Sequence, residues 1–190
     1  MPAAPGHHLV YGTLRDFLTG EELPDTDDER FRQSLARMMV EERGFNPAEL
    51  EPRRTIETLF NSQFVRTTLD LTVCIEGQYL MVLRYGPGSL VTRERPAIAA
   101  ARVEPAGQIP LAVVTNGRDA ELLNALSGEV LAEGMAAIPD RARTLALAHE
   151  LGLPVLTDPR RRERELRILN AYDLEVCCRG NCAPRVVQEK

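Results

Sequence analysis

The run Leu111-Ala112-Val113-Val114-Thr115 constrains this chain more than any other segment. It carries no charge and ends in three β-branched residues, so it reads as a short strand. Apolar groups on both of its alternating faces are stable only if both faces are covered. A sheet with further layers on each side is therefore expected. The surrounding sequence supplies helices for them: alanine-rich Arg93–Val103 before it, and Asp140–Leu151 and Pro159–Tyr172 after it, the last with Asp158 as cap and proline at its first position.

Upstream, Thr26-Asp27-Asp28-Glu29 reads as a capping box with acids in the first turn, followed by Phe31, Leu35, Met38 and Met39 at helical spacing and Gly44 as the stop. Asn46-Pro47 starts a further short turn of helix. The period then falls to two. Arg53–Phe60 and Phe64–Ile75 read as strands, with Leu69, Leu71, Val73 and Ile75 alternating against Thr68, Asp70, Thr72 and Cys74. Glu76-Gly77-Gln78 turns into a third strand, Tyr79–Tyr85, which completes a three-stranded meander. Asn116-Gly117 turns the chain into a short helix, Asp119–Leu126. The expected fold is α/β, with an irregular arm at 1–24, a core domain at 25–150 and a helical extension with a cysteine-containing tail at 151–190.

The start, Met1–His8, lacks a basic region followed by an apolar one, and no apolar run reaches the ~18 residues that span a bilayer. A cytoplasmic protein without a membrane partner is expected. The net charge of −5 argues against a surface given over wholly to nucleic acid, though not against a local basic patch.

The order of these elements, with Asp28-Glu29-Arg30-Phe31-Arg32-Gln33 through Glu42-Arg43-Gly44-Phe45, then Leu69-Asp70-Leu71-Thr72-Val73, Leu80–Leu83 and Val113-Val114-Thr115-Asn116-Gly117, resembles the N-terminal domain of type I restriction enzyme R subunits. That domain belongs to the restriction-endonuclease-like, PD-(D/E)xK fold, and the resemblance covers roughly residues 9 to 140. It implies metal-dependent phosphodiester hydrolysis. An aspartate on the second strand and a glutamate on the third would bind magnesium, and a lysine two residues after the glutamate would steady the attacking water. Residues two apart on a strand share a face, and carboxylate oxygens suit magnesium.

Asp70 matches the family's aspartate. Amid Leu69, Leu71 and Val73 it is either buried with a partner or part of a solvated face with Thr68 and Thr72. The third strand departs from the pattern. No acid lies between Glu76 and Glu94, so glutamate and lysine fall on Val82 and Arg84, or in another register on Arg84 and Gly86. Composition sharpens the departure: of 23 lysines and arginines, only Lys190 is lysine. Arginine does not replace lysine in this role. Asp70 and Arg84 thus read as vestigial, an ion pair where a metal would lie, and the expected function is nucleic-acid or protein binding (or self-association) by an inactive stand-alone domain. The alternative is an active magnesium endonuclease with magnesium at Asp70, helped by Glu41 or Glu42 from the first helix.

The loop Gly86-Pro87-Gly88-Ser89 leading to Arg93 and Arg95 could bind nucleic acid or another anion, with Arg84 nearby. Arg160-Arg161-Arg162, Arg164 and Arg167 form a second basic stretch, either solvated or phosphate-binding. Cys177, Cys178 and Cys182 could bind zinc and make a metal-stabilised interaction module, or be reduced thiols in a tail. No cofactor is otherwise expected. His149, the lone histidine outside the arm, builds no triad.

Overall fold

The computed structural model describes residues 5–60, 63–104, 107–173 and 183–186. In chain order the elements are β1 (Pro5–Val10), β2 (Thr13–Arg15), β3 (Glu22–Pro24), α1 (Asp27–Glu41), β4 (Leu50–Pro52), β5 (Thr55–Phe60), β6 (Gln63–Thr68), β7 (Leu71–Ile75), β8 (Gln78–Tyr85), α2 (Val91–Val103), β9 (Leu111–Thr115), β10 (Ala120–Asn124), β11 (Val130–Glu133), α3 (Arg141–Leu151), α4 (Pro159–Asp173) and β12 (Ala183–Val186). The fold is α/β. A six-stranded sheet in the order β11-β10-β9-β8-β7-β4 forms its centre.

The two-faced strand sits where its sequence requires. All five residues of β9 are buried. Leu111 and Val113 pack with Leu35 and Met39 of α1 and Ala148 of α3, whereas Ala112 and Val114 pack with Ile98 and Ala101 of α2 and Leu169 of α4. β9 runs parallel to β8 and antiparallel to β10, and α2 makes the crossover that a parallel pair needs. The small side chains of α2 let α4 lie close against it, and one buried ion pair, Arg102 to Glu165 at 2.8 Å, crosses that contact. Burial holds the Arg102 guanidinium below its ordinary pKa even though Glu165 opposes the shift.

Three expectations are corrected. The meander is broken: β5 and β6 form a separate hairpin, and only β7 and β8 join the central sheet, with β4 on the outer side of β7. The break falls at Leu69-Asp70, where the backbone leaves β6 to bond back to Arg53 and Arg54. Asp119–Leu126 is not a helix. Its Ala-Glu-Leu-Leu composition favours helix, but Asn116 Oδ1 accepts from the N–H groups of Arg118 and Asp119, and that turn feeds the chain back alongside β9 as β10. At Gly117, φ is +85° and a Cβ would meet the Phe31 ring at 2.6 Å, so glycine is needed there. Third, the arm is less irregular than expected, since β2 and β3 pair as a hairpin and β1 runs parallel to β12.

Candidate functional site

Asp70 lies buried at one end of the central sheet, between the last residues of β4 and of β8. Its backbone oxygen accepts from Arg53 N at 3.3 Å. Its carboxylate is fully engaged: Oδ1 accepts from Arg32 Nε at 2.8 Å, and Oδ2 accepts from Tyr85 N at 2.9 Å and faces Arg84 Nε at 3.5 Å. Phe31 stacks on the ring of Tyr85 with centroids 3.8 Å apart, which ties α1 to the end of β8.

The pair is one part of a larger network. Arg32 also bonds Glu29 at 3.0 Å, and Glu29 Oε1 accepts from Gln33 Nε2 at 2.9 Å. Arg53 bridges Asp16 at 2.6 Å and Glu29 at 3.4 Å, and Gln33 Nε2 also reaches Asp16. Asp16 Oδ1 accepts from the N–H groups of Leu18 and Thr19. Three acids, Asp16, Glu29 and Asp70, thus alternate with three arginines, Arg32, Arg53 and Arg84, and a fourth acid, the exposed Glu21, reaches Arg53 at 3.5 Å. Burial pushes the Asp16 carboxyl upward, but the Arg53 guanidinium, the Thr19 and Leu18 amides and Gln33 together outweigh it and hold the pKa at about 2. Burial disfavours charge on Arg32, yet Asp70 and Glu29 raise its pKa above the ordinary value. Arg53 itself sits at φ 54°, a left-handed conformation that costs a non-glycine residue on the order of 1 kcal/mol and persists because the surrounding bonds fix it.

The glycine loop lies just beyond. Gly86 N bonds Thr115 O, and Asn116 Nδ2 donates to Gly88 O, so the loops after the parallel strands β8 and β9 are joined. The Arg93 guanidinium rests on Gly86, where a Cβ would come within 2.8 Å of Nε. Ser89 O accepts from the Thr92 hydroxyl. Arg95 reaches Glu165 at 3.2 Å, with about half its side chain exposed. Of the anion-site residues expected from sequence, Gly86, Gly88, Ser89 and Arg93 are brought together, whereas Arg84 turns to Asp70 and Arg95 to α4.

The sequence profile of the type I restriction enzyme R protein N terminus matches residues 27–139, which run from α1 to just before α3. The chain belongs to that family. No curated protein and no solved structure matches it.

Val82, expected from sequence to stand in one register where the resemblance implies a glutamate, is wholly buried, paired with Thr72 and Ala112. Magnesium asks for several oxygen ligands. Here both oxygens of Asp70 are bonded, the neighbouring acids Glu29 and Asp16 are tied to Arg32 and Arg53, and the arginines supply the positive charge, so these residues do not fit the ion. Among the described residues, no group of three His, Cys, Asp or Glu side chains is arranged to hold a metal. Glu41 and Glu42, considered as the helix's contribution, are exposed. The acid that α1 turns toward Asp70's partner is Glu29, expected from sequence to close the capping box. Thr26 Oγ1 does accept from Glu29 N, but the Glu29 carboxylate goes to the arginines instead. Asp16, next to Arg15, and Arg53, next to Arg54, had no sequence signal that set them apart from ordinary surface charges.

In the second basic stretch, Arg161 and Arg162 donate to Leu126 O and Val103 O, and Arg167 pairs with Glu163, so these three serve packing and the helix surface. Cys177, Cys178 and Cys182 lie outside the described residues. Among the described residues no helix is long and apolar enough to cross a membrane.

Proposed function

We propose that this chain is a non-hydrolysing member of the R-protein N-terminal family that acts by binding, with nucleic acid as its partner. The observation that carries the first half is the filled carboxylate of Asp70, held by Arg32, Tyr85 N and Arg84 where hydrolysis would need a metal. The second half is supported by Arg93, which rests on Gly86 beside the joined Gly86–Ser89 and Asn116–Asp119 loops, where backbone amides at the start of α2 also favour phosphate; Arg95, turned to Glu165, is half-exposed two residues further on. The setting on this reading is the cytoplasm, in keeping with the free thiol of Cys74.

Incubating duplex DNA with the full chain and magnesium or manganese tests both halves. The expected result is no cleavage, together with salt-dependent binding whose log–log slope falls by about 1 for Arg93→Ala and by less for Arg95→Ala, whose guanidinium is paired with Glu165. Metal-dependent cutting that disappears in Asp70→Ala would establish an active nuclease instead. A second reading, association with protein or another copy, is favoured by exposed Val130 and Leu131 on β11, an edge strand of the central sheet. Concentration-dependent oligomers without DNA binding would select it.

A further inference from the structure

Two clefts meet at the opposite end of β8. The larger, about 570 Å³, lies between α3 and the start of β8 and is lined by Leu80, Leu145, Ala148, His149 and Leu153. The smaller, about 210 Å³, is lined by Gly77, Tyr79, Gly107 and Gln108. Gln78 and Leu153 line both. Gln108 is nine-tenths buried, and its Oε1 has no hydrogen-bond partner among the described residues. The amide orientation follows from its other end: Nε2 donates to Pro154 O at 3.2 Å, and reversing the amide would set two oxygens against each other. A buried acceptor left without a donor is rare and marks a place where something else completes the bond.

Oε1 is covered in the free chain, and we propose that the joined clefts form a binding site for a neutral, largely apolar small molecule that uncovers Gln108 Oε1 on entry and anchors to it through one N–H or O–H donor. The larger volume is in the range of small-molecule sites, and its lining is chiefly leucine and alanine with few polar groups, as such sites have. A carboxylate or phosphate would present oxygen to oxygen at Gln108 and is rejected. The site does not depend on the Asp70 network: seven strand steps of ~3.3 Å separate Gln78 from Tyr85, roughly 23 Å. It would stand whether or not the chain binds DNA or cuts it.

Indole, which carries an N–H, and 1-methylindole, which does not, are the probes. Each is titrated into the full chain while the backbone amide resonances of Gly77, Gln78, Gly107, Gly152 and Leu153 are followed. Indole should shift them and bind roughly tenfold more tightly than 1-methylindole, as expected for one buried hydrogen bond. In Gln108→Leu the ratio should fall to about one. Leu145 stands at the exposed rim, so Leu145→Asp should keep the fold and weaken both probes. Equal binding of the two probes to the native chain overturns the proposal, as does the absence of shifts with either. A ratio that survives in Gln108→Leu, or binding unchanged in Leu145→Asp, overturns it too. If Gln108→Leu does not fold, the ratio measured on the native chain still decides.

Discussion

At the carboxyl end of β8, Asp70 has a donor on each oxygen and Arg32, Arg53 and Arg84 are matched by Glu29, Asp16 and Asp70. At the amino end, Gln108 keeps an acceptor with nothing to bond among the described residues, beside a cleft lined mostly by leucine and alanine. The charged end looks like chemistry and is closed; the apolar end looks like packing and is open. Charge density alone is therefore a poor guide to what a site can bind. Ligand capacity follows from hydrogen bonds that the chain does not make for itself, because a saturated network gains little from a visitor and an orphaned acceptor gains a full bond.

If the charged end is a closed network, removing one member should be costly. Asp70→Ala leaves Arg32 with Glu29 alone and Tyr85 N without an acceptor, and should lower unfolding free energy by about 3 kcal/mol in urea titrations. A loss below about 1 kcal/mol would show that water reaches these groups readily, and the contrast with the other end would vanish. Acid should open the same network more gently. The folded pKa of Asp16 is about 2 against an ordinary 3.8, so its contribution is present above the ordinary value and lost as pH falls from about 4 toward 2. That amounts to about 2 kcal/mol. Urea midpoints measured across that window should fall for the native chain and fall less for Asp16→Asn, which has already lost the charge.

Much of the layer plan was legible because it rests on period. The alternation in β7, the two-faced apolar run of β9 and the caps Thr26, Asn46 and Asp158 all act locally, and each stands near where the sequence puts it. The β10 strand was misjudged because Ala120–Leu123 favours helix on its own, while the Asn116-Gly117 turn and pairing with β9 override that preference. The site was legible only in part. Asp70 and Arg84 could be named from the family pattern, and the missing acid on β8 was visible. The partners Asp16, Glu29, Arg32 and Arg53 come from α1 and two separate loops, and nothing in a local window shows that Glu29 in the first turn of α1 will turn its carboxylate inward. Gln108 was invisible for the same reason: an unmet hydrogen bond is a property of the assembled fold.

The smallest expected effect is the sharpest test of the contrast. Gln108→Leu removes the Nε2 bond to Pro154 O, a loss of about 1 kcal/mol, but it also removes a buried acceptor whose lack of a donor costs about 1–3 kcal/mol. Pro154 is exposed, and its oxygen still accepts from Gln108 N of the backbone and can be reached by water. The two changes nearly offset, so stability in urea should move by less than about 1 kcal/mol, and toward the folded state if it moves. Asp70→Ala and Gln108→Leu would then both strip a polar group from a buried position at opposite ends of one strand, with consequences differing several-fold in size. A loss above about 2 kcal/mol in Gln108→Leu would mean that Oε1 already has a partner in the free protein, such as a fixed water. The amino end of β8 would then be as closed as the carboxyl end.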